Sequence, residues 1–205
     1  MPKSPTKTRP KTVAALMSSA RELFVERGYH ATSISDICGH AGLTRGAFYS
    51  NYPSKEHLFL ALYDTETDRV LEDLERAARD VTEAGAHPVA RILEYLATHR
   101  RNDRQWFLVS MEFTLHAARH PELAAELAPH EDRLTTAMAD LLTTLRPRLS
   151  PGDARDLAWL ITALHEGTTA QELIHGAPAT AFRARTVPRV VDTLATEMLG
   201  EDGKP

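Results

Sequence analysis

Thr44-Arg45-Gly46-Ala47 is the stretch of this chain whose side chains best suit one specific chemistry. An arginine fork matches guanine O6 and N7, and such a bidentate contact is worth roughly 1–3 kcal/mol of discrimination between bases. Gly46 and Ala47 carry almost no side chain, so a helix bearing them can approach a groove floor. Glycine inside a helix costs about 1 kcal/mol relative to alanine, so its presence there asks for a reason such as close approach. Tyr49, Asn51 and Tyr52 follow, and a tyrosine hydroxyl at this place reaches phosphate oxygens. Thr32 and Ser33 put a hydroxyl and free backbone N–H groups before one short apolar helix, and Lys55 stands at the start of another. Helix N-termini suit phosphates because their donors are unpaired and the dipole is positive there. The chemistry these residues could do is recognition of a double-stranded nucleic acid.

Other chemistry-bearing residues are less well placed. His116 and His120 have the i, i+4 spacing of metal ligands on one helix face, but no third ligand pairs with them, and no metal or cofactor is expected. Glu112, His116 or His165 could serve as acid or base in an enzyme. That rival lacks a nucleophile elbow, a phosphate loop and an HExxH helix. Cys38 is the one cysteine, which excludes an intramolecular disulfide and suits a reducing, cytoplasmic setting. It shares a face with Ile34, Ile37 and Ala41 and reads as a buried small hydrophobe.

The elements that must carry these residues are helices. Val13, Leu16, Met17, Ala20, Leu23 and Phe24 form one stripe with a period of about 3.6, and Gly28 follows as a C-terminal cap. Ser33 and Asp36 form a capping box before Ile34, Ile37, Cys38 and Ala41, and Gly42 ends that helix after barely two turns. Thr44 caps a third short helix from Arg45 to about Asn51, which Pro53 closes. Phe48 should point inward against Ile37 and Leu43. Two short helices joined only by Gly42-Leu43-Thr44, with supporting helices on either side, make a helix-turn-helix pattern. Ser54 caps a long helix to about Val81. Further helical segments run over about 88–101, 103–120, 122–146, 152–175 and 183–199, with Pro121, Pro147, Pro151, Gly152, Gly176, Pro178 and Gly200 at the breaks. The expectation is an all-α fold of about nine helices: a disordered basic arm over 1–10, a helix-turn-helix domain over 11–54, a larger helical domain over 55–200 and a disordered tail over 201–205.

Charge supports that division. The net charge is −4 over 205 residues. Residues 1–60 nevertheless hold 8 Lys/Arg against 4 Asp/Glu, while the other 145 hold 16 against 24, so a +4 quarter precedes a −8 body. An acidic body repels phosphates and limits contact to the basic face. The longest apolar stretches, such as Leu157–Ile161, fall far short of the roughly 18 residues that span a bilayer, so no membrane partner is expected.

The stretch RELFVERGYHATSISDICGHAGLTRGAFYSNYPSKEHLFLAL, Arg21 to Leu62, resembles the DNA-binding domain of the TetR family of transcriptional regulators. Gly28-Tyr29, Thr32-Ser33-Ile34, Ile37, Ala41-Gly42-Leu43-Thr44, Arg45-Gly46, Phe48-Tyr49, Tyr52 and Ser54-Lys55-Glu56 carry the likeness. Cys38, Gly39 and Asn51 depart from it mildly. The resemblance implies a ligand-responsive repressor that binds a pseudo-palindromic double-stranded operator as a homodimer. Its DNA-facing residues would be Thr32, Ser33, Thr44, Arg45, Gly46, Ala47, Tyr49, Asn51 and Lys55.

It also gives the remaining helices a use. Arg104–His120 is apolar nearly all round, which marks a buried helix or a cavity wall. The resemblance implies a small apolar or aromatic effector there, lined by Trp106, Ser110, Met111, Thr114 and, from a later helix, His165; ordinary core is the alternative for each. Ala163, Gly167, Ala170 and Ile174 lie on one helix face where another helix could approach closely. With Val187, Val191, Leu194 and Met198 of the last helix they would form a four-helix dimer interface; packing within one chain is the alternative. Two recognition helices must meet successive half-sites roughly 34–36 Å apart or more, so a two-fold dimer is required.

Overall fold

The computed structural model describes residues 9–82 and 104–197, apart from the side chains of 80–82. Among the described residues all regular structure is α-helical, in eight helices. These are α1 (Arg9–Arg27), α2 (Ile34–His40), α3 (Arg45–Tyr49), α4 (Lys55–Thr82), α5 (Arg104–Ala117), α6 (Pro121–Leu145), α7 (Pro151–His175) and α8 (Ala177–Glu197). The segment expected over 88–101 lies outside the described residues, as do the arm before Arg9 and Met198. The last helix begins at Ala177 rather than near 183. Pro178 falls in its first turn, where the missing N–H would have had no intrahelical partner, so proline opens this helix instead of ending one. Pro151 opens α7 in the same way, beside Ser150, whose side chain accepts from the Asp153 N–H.

Local chemistry sets the short helices. Ser33 accepts from the Asp36 N–H while the Asp36 carboxylate accepts from the Ser33 N–H, so the capping box is complete. Thr44 accepts from the Ala47 N–H at 3.1 Å. Gly28 ends α1 at φ +88° and Gly42 ends α2 at φ +65°, both in the left-handed region where glycine is unstrained. The Leu43 N–H then reaches back to the Cys38 carbonyl at 2.8 Å, which closes the turn between α2 and α3.

The chain forms two compact units. The first contains residues 1–66 and 105–130, so α5 and the start of α6 pack with the N-terminal helices. Leu16, Ala20, Leu23 and Phe24 of α1, Tyr29, Ile37 and Cys38, Phe48 of α3, and Leu58, Phe59 and Leu62 of α4 share its core with Trp106, Val109 and Phe113 of α5. Phe59 stacks between two α5 rings, 4.0 Å from Phe113 and 5.5 Å from Trp106. The second unit, residues 67–104 and 131–205, has its core in Val70, Leu74 and Ala77 of α4, Met138 and Leu142 of α6, Leu157 and Ile161 of α7, and Val187 and Val191 of α8.

Candidate nucleic-acid interface

α3 is five residues long, and its geometry follows from one anchor and one cap. Phe48 is fully buried, with its ring edge-on to Tyr49 at 5.4 Å and tilted against Tyr52 at 6.0 Å. With that side chain fixed inward, Thr44, Arg45, Gly46 and Tyr49 face solvent. Arg45 extends along the helix to the Tyr49 hydroxyl at 3.4 Å, with its guanidinium carbon 5.9 Å from the Tyr49 ring centre. That hydrogen bond, and the nearby phenol, push the guanidinium's proton affinity up further. A Cβ on Gly46 would meet only the Thr44 hydroxyl, at 3.7 Å, so folding does not demand glycine there. Asn51 is half-buried; its amide donates to the Ala47 carbonyl and its oxygen accepts from Arg9 of α1 at 3.3 Å. Ser33 is exposed at the start of α2.

Two of the expected DNA-facing side chains turn inward. Thr32 is fully buried, and its hydroxyl donates to the Gly28 carbonyl at 2.8 Å and the Leu23 carbonyl at 3.3 Å. Lys55 is half-buried: its ammonium donates to the carbonyls of Tyr29 and Thr32, both at 2.9 Å, and lies 4.1 Å from the Tyr29 ring centre. Burial pushes its pKa down, partly offset by Glu56 and Glu112. Both residues brace the link between α1 and α2 from within. Burial, reinforced by Glu56, keeps the Tyr29 hydroxyl protonated far above the usual phenol range, and that hydroxyl donates to Glu56 at 2.9 Å.

The same link receives a side chain that local sequence pattern did not single out for this place. The Glu112 carboxylate of α5 accepts from the backbone N–H groups of Tyr29 (2.8 Å) and His30 (2.9 Å). Beside it the His30 ring meets His116 at 4.9 Å, and His116 meets His120 at 4.4 Å. Burial, then the neighbouring His120 and His30, lower the pKa of His116. Among the described residues no group of three His, Cys, Asp or Glu side chains is arranged to hold a metal ion. Burial raises the Cys38 thiol's pKa.

Of the proposed effector-lining residues, Trp106 is buried in the first unit's core, and Ser110, Met111 and Thr114 are half-buried on α5, with the Ser110 hydroxyl bonded to the Phe107 carbonyl. His165 belongs to the other unit, where Arg183 of α8 donates to its Nδ1 at 2.7 Å and also to Thr169 and Glu172. Among the proposed dimer residues, Ala163, Gly167 and Ile174 are exposed and Ala170 half-exposed. Trp159, 61% exposed, lies on the same helical face, and Ile174 is 75% exposed. On α8 the large apolar residues that face outward are Phe182 and Val190. Val187 and Val191 are instead core residues of their own protomer, and Leu194 packs against that core. A valine stripe on α8 has two edges, and burial against α7 takes the edge that the sequence pattern had assigned outward.

Two short capped helices joined by a tight glycine turn, with a buried aromatic beneath the second, are a helix-turn-helix. Comparison with known proteins gives the family. Residues 16–62 match the model for bacterial regulatory proteins of the tetR family, and residues 86–199 match the C-terminal domain of BetI-type transcriptional repressors. The chain belongs to the TetR family of transcriptional regulators. The transcriptional activator FasR of Mycolicibacterium smegmatis is 26% identical over 128 residues, 62% of this chain and 57% of its own length. The regulator UidR of Escherichia coli is 30% identical over 139 residues, 66% of this chain and 63% of its own. The chain thus spans less than two thirds of these relatives. In fold it is similar to a TetR-family regulator from Mesorhizobium loti (TM-score 0.70, 18% identity, 94% and 98% of the two chains). It is also similar to FadR from Bacillus subtilis, solved with stearoyl-CoA (TM-score 0.63, 17% identity, 93% and 99%). No helix among the described residues is long and apolar enough to cross a membrane.

Proposed function

We propose that this chain is a cytoplasmic, non-catalytic repressor that binds a pseudo-palindromic operator as a homodimer, with residues 11–54 as its DNA-binding domain and 55–200 as its effector-binding and dimerisation domain. The observation that carries the reading is the exposed face of α3. Arg45 stands at its first turn, Gly46 and Ala47 leave room for close approach, and Phe48 beneath is fully buried. Arg45 reads guanine, and Ser33, Thr44, Tyr49 and Asn51 contact the backbone or adjacent base edges. Thr32 and Lys55 serve the interface by bracing the α1–α2 link. A small apolar or aromatic effector against Ser110, Met111 and Thr114 of α5 shifts the spacing of the two recognition helices; the FadR neighbour, solved with an acyl-CoA, supports an apolar ligand. Such an effector changes operator affinity only by its own differential affinity for the two states, typically 1–3 kcal/mol. The dimer face is Trp159, Ala163, Gly167, Ala170 and Ile174 of α7 with Phe182 and Val190 of α8.

Selection of bound duplexes from random DNA at two salt concentrations tests this. Enrichment of a two-fold symmetric site containing a guanine in each half, with affinity falling steeply with salt, is the expected result. Retention without sequence preference, or none at low salt, overturns it.

A further inference from the structure

The link between α1 and α2 is held from both sides by charged side chains that come from later in the chain. On one side the Lys55 ammonium of α4 binds the carbonyls of Tyr29 and Thr32. On the other the Glu112 carboxylate of α5 binds the N–H groups of Tyr29 and His30, across 83 and 82 residues of sequence. The peptide between Tyr29 and His30 thus has its N–H on the carboxylate and its carbonyl on the ammonium, with the Tyr29 N–H and the Thr32 carbonyl held beside it, and such charge-assisted bonds are the strong form of hydrogen bond. Gly28 belongs to the arrangement. A Cβ there would sit 2.9 Å from Glu112 Oε2, and at φ +88° a side chain would be strained as well. The residue that ends α1 thus leaves the space the carboxylate fills. Thr32, at the far end of the link, is followed directly by the Ser33 cap of α2, so fixing these peptides fixes where α2, and through its tight turn α3, begins.

We infer that Glu112 is a positioning residue for DNA binding: it holds the helix-turn-helix in register through the α1–α2 link without touching DNA. The inference rests on the operator-binding reading above. It goes beyond it by assigning a role in DNA binding to a residue inside the segment that matches the C-terminal family model. The two bonds are short, and hydrogen bonds weaken steeply past about 3.5 Å. Both bonds end on one carboxylate, so a shift of α5 that draws Glu112 away from the link weakens them together. The position of α5 and the grip of α3 are coupled at this carboxylate.

The test uses the full-length chain with Glu112→Gln and Glu112→Asp. Glutamine keeps the size but can accept with one atom only, and its NH₂ then faces the second N–H. Aspartate keeps the charge but draws it back by a methylene. Amide hydrogen exchange is read over residues 28–49 and, as a reference, over α7. Operator affinity is read on the selected duplex across a salt series. Faster exchange confined to 28–49, with α7 unchanged, and operator binding weakened roughly five- to tenfold at an unaltered salt slope are expected in Gln, with a smaller effect of the same kind in Asp. Exchange over 34–49 equal to the parent in both variants overturns the inference, as does operator affinity within twofold of the parent. Exchange rising equally in α7 also overturns it, because the carboxylate would then serve only global stability. If the parent protein selects no DNA sequence, the operator reading falls, and the exchange pattern over 34–49 alone decides whether Glu112 positions these helices.

Discussion

Arg45 and Lys55 bring the same charge to one unit and are used in opposite ways. Arg45 is exposed, and among the described residues it is held by Tyr49 four residues on, a contact it can exchange for a base. Arg45→Ala should therefore relax sequence choice at one base pair per half-site by roughly 1–3 kcal/mol and leave the thermal midpoint nearly unchanged. Binding to scrambled and selected duplexes, measured side by side, checks this. Lys55→Ala removes the donor for two carbonyls beneath Tyr29, so its cost falls on stability. A loss of about 1–2 kcal/mol lowers the midpoint by roughly 2–8 °C for a chain of this size, read by calorimetry. His116 adds a pH dependence at the same place. Burial, with His120 and His30 beside it, lowers its folded pKa, whereas the unfolded chain takes up a proton near pH 6.5. Stability from this group is thus fully present above that pH and is lost as pH falls below it. The groups around it are His30 and Tyr29 of the link, Lys55 and Glu56 of α4, and His120 just beyond the end of α5. Thermal midpoints from pH 7.5 down to 5.5 should fall in the parent, and less in His116→Asn.

At the scale of elements, α3 separates what folding needs from what binding needs. Gly46 is exposed, and an added Cβ meets only the Thr44 hydroxyl at van der Waals distance. Gly46→Ala should stabilise the helix by up to about 1 kcal/mol, yet a methyl on the face that approaches the groove should weaken operator binding at least tenfold. A raised or unchanged midpoint together with lost retention on the duplex is the expected pair of results; unchanged retention removes close approach as the reason for this glycine. The short helices were legible in sequence because their signals are local. Ser33 with Asp36, Thr44, Gly28 and Gly42 act within four residues of themselves, and each does in the structure what its type and spacing suggest. The start of α8 is not legible in sequence because proline both breaks helices and opens them, and the first-turn position of Pro178 is visible only once the helix is there. Thr32 and Lys55 point inward because the link folds back over α4, a tertiary fact with no periodic signature. Glu112 is legible from neither period nor motif, since its partners are backbone groups more than 80 residues away.

At the scale of the whole molecule, the proposed operator binding needs more than one protomer. In that reading a single α3 covers one half-site, and the affinity and symmetry of an operator come from two of them held at a fixed spacing. Among the described residues, α5 exposes Leu108 and Leu115, and the larger apolar surface is on α7 and α8, where Trp159, Ile174 and Phe182 are 61%, 75% and 50% exposed. Trp159, Ala163, Gly167, Ala170 and Ile174 recur at intervals of three or four, so they line one face of α7, with small residues in its middle where helices can cross closely. Because neither Ile174 nor Phe182 is needed by its own core, a charge at either should leave the fold intact, within about 0.5 kcal/mol. The same charge buried at a two-fold contact meets its own symmetry mate or lies unpaired, which costs several kcal/mol. Ile174→Asp and Phe182→Asp should therefore convert the protein to a monomer in sedimentation equilibrium while its helical signal is retained. Operator binding should then weaken and become second order in protein concentration. Val191→Asp makes the contrast: Val191 is fully buried within the protomer, so that change should unfold the second unit rather than dissociate a dimer. A dimer that survives both exposed substitutions would move the interface off α7 and α8, and with it the geometry that sets half-site spacing.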